Sequence, residues 1–177
     1  MTTAAAPSKT NGKSKGNSFE RKIANTLSDR FKEFLGQDKG FRRNPDSGSF
    51  FGGANKARVR THNTEHAAFG DLICPSAFRF SIECKHYKSA PAFSAVVSGK
   101  VAQWDKWIGQ AEQDSAQSNR NFLLIIKYNN VEEFAFFDRE LPTLQQCLRY
   151  KDKYGYRLVD VLTLPNEFFF GESNASS

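Results

Sequence analysis

A chain of 177 residues, 39% apolar and 14% aromatic with 17 Phe, has the material for one well-filled core and is too short for two ordinary domains. No apolar run approaches the roughly 18 residues of a membrane span, and Met1 to Lys15 lacks the apolar segment of a signal peptide, so an intracellular protein that is not secreted and meets no membrane is expected. The net charge of +6 and the pI near 9.3 point to a polyanionic partner.

The ends read as tails: residues 1–16 as a flexible basic arm and 171–177 as a flexible polar one, around a single domain at 17–170. Cys74, Cys84 and Cys147 are odd in number and lack metal-site spacing, so reduced thiols are expected, with no disulfide and no structural zinc. From Ser18 to Leu35, apolar residues at Phe19, Ile23, Leu27, Phe31, Phe34 and Leu35 predict a first helix with one buried stripe, ended by Gly36. Glu20 lies at the edge of that stripe and can reach inward. Phe41 to Arg43 predicts a short strand, and Asn44 to Ser49 a turn. Between Lys39 and Arg60 the cations Lys39, Arg42, Arg43, Lys56, Arg58 and Arg60 face one acid, Asp46, a local balance of +5 that suits phosphate contact. The stretch from Phe50 to Phe69 has no sustained period and reads as a long loop; His62 and His66 in it are better placed for DNA contact or plain exposure than for a metal.

Gly70 to Lys85 is the most informative stretch. Leu72 to Cys74 and Phe78 to Cys84 flank Pro75-Ser76-Ala77 and predict an antiparallel hairpin. Asp71 then lies opposite or one step from Glu83, with side chains roughly 5 Å apart. Glu83 and Lys85 share one face, while Ile82 and Cys84 point to the packed one. Two carboxylates in one small space repel unless a cation sits between them, and open oxygen ligands suit Mg²⁺ or Mn²⁺. Solvated strand charges are the bland alternative; against it, these charges lie within a Phe-, Ile- and Leu-rich hairpin where unpaired ions are costly.

A helix from Phe93 or Ser94 to about Gln117 follows, with Val97, Val101, Trp104, Ile108 and Ala111 as its stripe and Gln110 beside it, aimed at the end of the sheet. Phe122 to Ile126 predicts a central strand buried on both faces, Asn129-Asn130 a turn, Val131 to Phe137 a strand, Leu141 to Tyr150 a short helix and Tyr156 to Leu164 a last strand. Phe168-Phe169-Phe170 either packs on a partner subunit or folds back over its own sheet.

This order of elements resembles the PD-(D/E)XK nuclease superfamily, and its local motifs resemble the archaeal-type Holliday junction resolvases. Lys15-Gly16, then Glu20-Arg21, matches the opening of their first helix; Arg42 or Arg43 and Ser47-Gly48-Ser49 match the next motif; Asp71, Glu83 and Lys85 match the Asp and Glu-x-Lys; Gln110 fits the helix glutamine better than Gln103 or Gln113. The resemblance covers residues 15 to 128, and departs from the pattern in the long segment between Ser49 and Asp71 and in the extra chain after Asn130. It implies an α/β restriction-endonuclease-like core, a mixed central sheet flanked by helices. It further implies Asp71 and Glu83 as metal ligands, with the Cys84 carbonyl and Glu20 as further ones. Lys85 would act on the attacking water, and Ser47, Ser49, Arg42, Arg43 and Gln110 would bind DNA, joined on the local charge balance by Lys56, Arg58 and Arg60. Mg²⁺, with Mn²⁺ able to substitute, would be the cofactor, and a homodimer nicking four-way DNA junctions the working form. The alternatives are a restriction-type or other recombination and repair endonuclease of the same superfamily, or a non-catalytic DNA-binding protein.

Overall fold

The apolar stripe beginning at Phe19 forms one long helix, α1 (Gly12–Leu35), in the computed structural model, which describes residues 12–45 and 69–171. Phe19, Ile23, Leu27 and Phe31 are all buried on one side of it, and Gly36 at φ +61° ends it as expected. Phe34 lies off that stripe, 43% exposed. The helix begins ahead of Ser18, at Gly12.

The expected hairpin is replaced by a different pairing. Strand β1 (Arg42–Arg43) pairs antiparallel with β2 (Leu72–Ile73), Arg42 opposite Ile73 and Arg43 opposite Leu72, and β2 makes no ladder with β3 (Phe80–Tyr87). The reason lies at Asp71. Its N–H donates to the Ile82 carbonyl at 2.8 Å, but its own carboxylate, not its main chain, accepts the Cys84 N–H at 2.8 Å. A side chain thus fills the next rung, and Pro75 has no N–H with which to resume the ladder.

On its other edge β3 pairs in parallel with β4 (Asn121–Tyr128) through all eight residues, from Phe80 opposite Asn121 to Tyr87 opposite Tyr128. Parallel neighbours require a crossover. It is supplied by α2 (Phe93–Val97) and α3 (Ala102–Ser118), where the sequence predicts one helix. Gly99 at φ +65° breaks it, leaving Val97 69% exposed, and Trp107 joins the core that Ile108 only borders. After the Asn129-Asn130 turn, β5 (Phe134–Phe137) pairs antiparallel with β4 and β7 (Lys153–Arg157) with β5; β6 (Leu148–Tyr150) is the far edge. The sheet order is β3-β4-β5-β7-β6.

Two late elements differ from expectation. Residues 141–150 form a turn and β6 instead of a helix: β6 pairs antiparallel with β7, Leu148 opposite Gly155 and Tyr150 opposite Lys153, and the Tyr156 hydroxyl accepts from the Leu141 N–H at 2.6 Å. The expected strand over 156–164 ends at Arg157 and becomes α4 (Leu158–Val161); the buried positions Leu158 and Val161 follow a three-residue step, not alternation.

The result is the expected mixed sheet between helices, a restriction-endonuclease-like core. One face packs α1 and the C-terminal helices against Phe80, Ile82, Cys84, Leu123 and Ile125; the other packs Trp104, Trp107 and Ala111 of α3 against Phe122, Leu124, Ile126 and Tyr128. That double burial is why β4 reads as an unbroken apolar run. Two buried tyrosine hydroxyls are satisfied: the Trp104 indole donates to Tyr128 at 2.6 Å, and Tyr150 accepts from the Val101 N–H at 2.9 Å.

Of the two readings for the three phenylalanines, folding back over the chain's own sheet is the one observed. They lie in α5 (Asn166–Phe170), with Phe169 at 1% exposure and its ring 4.9 Å from that of Phe31, and Phe168 5.3 Å from Phe80. Phe168 and Phe170, partly buried, pack against the same core. Phe169→Ala therefore lowers the unfolding free energy by about 3–5 kcal/mol, and urea titrations show the same loss at every protein concentration, as a core defect and not an interface defect requires.

Candidate active site

Each acidic side chain reaches the site from a different element. Glu83 stands on β3 with its side chain on the α3 face, in register with Leu124, and is 1% exposed. Asp71 enters at the start of β2, also buried. The approach is close enough to need a glycine: Gly70, at φ +79°, would place a Cβ 2.6 Å from the Ile82 carbonyl oxygen. Asn44 holds the same segment from the other side, its N–H donating to the Asp71 carbonyl at 2.8 Å and its side-chain amide to the Gly70 carbonyl at 3.0 Å.

Lys85, two residues along β3 on the same face as Glu83, donates to Glu83 Oε1 and to Gln110 Oε1 of α3, the latter at 3.2 Å. Glu83 Oε2 has no hydrogen-bond partner among the described residues. One ammonium thus serves two buried carboxylates. Burial, then the neighbouring Asp71 charge, pushes Glu83 up to about 8 against the pull of Lys85, and burial pushes Asp71 up to about 6. Burial disfavours the Lys85 ammonium, but Glu83 and Asp71 outweigh it and raise its pKa. The Cys84 thiol lies on the opposite, packed face, and burial raises it well above the ordinary thiol range. Only its main chain therefore serves the site. Since the Cys84 N–H and the Ile82 carbonyl both point toward Asp71, strand alternation turns the Cys84 carbonyl the same way.

Glu20 faces this group from α1. Its carboxylate accepts from Arg43 Nε at 2.6 Å, while Arg43 Nη2 donates to Asn17 Oδ1 at 3.0 Å, so the β1 arginine is tied to α1. The structure accordingly brings together Asp71, Glu83, Lys85, the Cys84 main chain and Gln110, with Glu20 and Arg43 forming a second pair beside them. Among the described residues no three His, Cys, Asp or Glu side chains converge into a metal cage. Arg42 is exposed on β1, and Ser47, Ser49, Lys56, Arg58, Arg60, His62 and His66 lie outside the described residues. The sequence reading missed Asn44, Gly70 and Asp114. Asp114 lies one turn beyond Gln110 on α3, close enough that its charge is felt at Lys85, Asp71 and Glu83. The four-residue step from Gln110 was the available signal.

The family described as "Phage putative PDDEXK endonuclease" matches residues 11–167, which takes in every element of this site. The chain belongs to that family. It is thus a nuclease of the PD-(D/E)XK superfamily. Comparison with curated proteins and with solved structures returns no match.

Two expectations follow for this nuclease. Gly70→Ala costs about 1–3 kcal/mol of stability and moves Asp71 off the Cys84 N–H, seen as loss of amide-exchange protection at Cys84. The second concerns pH. Glu83 keeps a proton in the folded chain up to about 8 that it surrenders near 4.5 when unfolded, so the folded state binds more protons between these values. Stability of the metal-free protein therefore falls as pH rises through that window. Glu83→Gln flattens the fall and stabilises the protein at pH 8 by on the order of 2 kcal/mol, measured by chemical denaturation in the presence of a chelator.

Proposed function

We propose that this nuclease is a divalent-metal-dependent DNA endonuclease, with Mg²⁺ as its ordinary cofactor and four-way junctions as its substrate. The observation that carries the metal-dependent chemistry is the buried carboxylate pair that shares a single ammonium and leaves Glu83 Oε2 without a partner among the described residues. Such a pair lacks positive charge, and its donors are all oxygen: Asp71, Glu83 and the Cys84 carbonyl, with the thiol turned away. That set suits a hard cation that binds through one or two carboxylates and fills its remaining positions with water and substrate phosphate. PD-(D/E)XK nucleases in general use divalent metals, and the fit here follows that practice.

Bound between Asp71 and Glu83, the cation would supply charge to stabilise the scissile phosphate. The rest is the work of the chain. Lys85 holds a proton on its ammonium at neutral pH and directs it into the groove beside Gln110, where it can orient a water or a phosphate oxygen. Gln110 can meet the DNA backbone as a neutral donor through its amide nitrogen, its oxygen being engaged by Lys85. Glu20 and Arg43 form the α1 side of the groove, and Arg42 with the basic residues Lys56, Arg58 and Arg60, and with Ser47 and Ser49, would contact phosphates.

Junction specificity rests on the resolvase-like order from Lys15-Gly16 and Glu20-Arg21 through Asp71 and Glu83-x-Lys85 to Gln110. A homodimer follows from the substrate, because a four-way junction offers two equivalent strands and a two-fold enzyme presents two matching sites.

The test is incubation with a four-way junction, linear duplex and single strands, with and without Mg²⁺. Paired, Mg²⁺-dependent nicks in the junction are expected. Cleavage of linear duplex at one sequence would mean a restriction-type enzyme, and binding with no cleavage of any substrate would mean a DNA-binding protein. Asp71→Asn, Glu83→Gln and Lys85→Ala each reduce cleavage by at least about 10³-fold while junction binding persists, as measured by gel assays of cutting and of mobility shift.

A further inference from the structure

Lys85 stands between the strand that carries the carboxylates and the helix that crosses over it. Its ammonium donates to Glu83 on one side and to Gln110 Oε1, at 3.2 Å, on the other. Asp114, half buried, follows Gln110 by one turn on the same face of α3. Helix α3 packs through Trp104, Trp107 and Ala111, so neither Gln110 nor Asp114 is required for its docking. Glu83, at 1% exposure, gives one oxygen to Lys85, and its other has no partner among the described residues. A cation entering between Asp71 and Glu83 meets the ammonium already held there. Two positive centres on one carboxylate repel strongly in a site of low dielectric.

We propose that Gln110 and Asp114 form a second seat for the Lys85 ammonium, which leaves Glu83 for this pair when a divalent cation takes the two carboxylates; Asp114 is thereby a positioning residue of the site. The inference rests on the metal-dependent reading above. The lysine stem is long and its three donors rotate freely, so the ammonium can pivot while its backbone stays fixed in the β3–β4 ladder. The destination suits it. A neutral acceptor is already within hydrogen-bond distance, and a full negative charge lies one turn further on, so the partly buried ammonium is not stranded without a partner. Seated there, Lys85 stays beside the groove instead of being pushed into solvent.

Calorimetric titration with Mn²⁺ alone, without DNA, tests this in the full chain. Lys85→Met removes the competitor and is expected to tighten Mn²⁺ binding by about tenfold, whereas Gln110→Leu and Asp114→Asn each weaken it by about three- to tenfold while Lys85 is present. The decisive arm is Gln110→Leu in the Lys85→Met background, where its effect disappears. Because this substitution changes no charge, a weakening that is equal with and without Lys85, or absent in both, overturns the proposal while leaving the metal-dependent reading intact. Tight Mn²⁺ binding by wild type that Lys85→Met fails to improve overturns it as well. No binding by wild type or any variant overturns the metal-dependent reading and this inference with it.

Discussion

The parallel pairing of β3 with β4 is the constraint from which the rest of the site follows. Parallel neighbours cannot be joined by a tight turn, so the chain has to cross over one face of the sheet, and α3 is the segment that does so. That crossing places Gln110 and Asp114 over the face that carries Glu83 and Lys85. It also leaves β3 with only one edge engaged in the ladder. The other edge offers the Ile82 carbonyl and the Cys84 N–H to Asp71, which takes both, one with its main chain and one with its carboxylate. A hairpin continued past Asp71 would have used those groups for strand pairing and turned the carboxylate elsewhere.

The electrostatic consequence is a site held in tension. Two carboxylates, both nearly inaccessible to water, share one ammonium, and their burial pushes their protonation upward against it. Structural ion pairs in a core are usually matched one to one or replaced by apolar residues without loss. This group is neither matched nor solvated, and it is surrounded by two well-filled aromatic and aliphatic layers that can bear its cost. The fixed parts around it, Gly70, Asn44 and the Cys84 main chain, make few adjustments possible, which is what a site that holds charges in place needs.

A second polar link works at longer range. Arg43 ties β1 to α1 through Glu20 and Asn17, so the two-stranded ribbon that delivers Asp71 is anchored to the helix and not only to the sheet. Lys22 of α1 and Lys127 of β4 both reach Glu133, which fastens the same helix near the end of β4 at a bond of 3.3 Å for the strand lysine. The elements that carry the site are thus braced against one another by charge at the rim and by apolar packing beneath.

Local periodicity in the sequence was enough for α1, for β4 and for singling out Asp71, Glu83 and Lys85, because a stripe of Phe19, Ile23, Leu27 and Phe31, a doubly buried apolar run and charges set among apolar residues each declare themselves within a few residues. The helical step also put Gln110 beside the α3 stripe and toward the end of the sheet, but its contact with Lys85 is set by the crossover. Pairing partners were beyond the reach of local periodicity. Nothing between Leu72 and Cys84 indicates that β2 turns to β1 instead of β3, because the choice depends on Asp71 spending its carboxylate on the Cys84 N–H. Leu141 to Tyr150 and Tyr156 to Leu164 were misread for the same reason: their apolar spacings are ambiguous, and the pairing of β6 with β7 and the burial of Leu158 and Val161 settle them only in three dimensions. Asn44 and Asp114 acquire their places solely through contacts across the fold, where side chains distant in sequence share one low-dielectric space and each charge is felt by all the others.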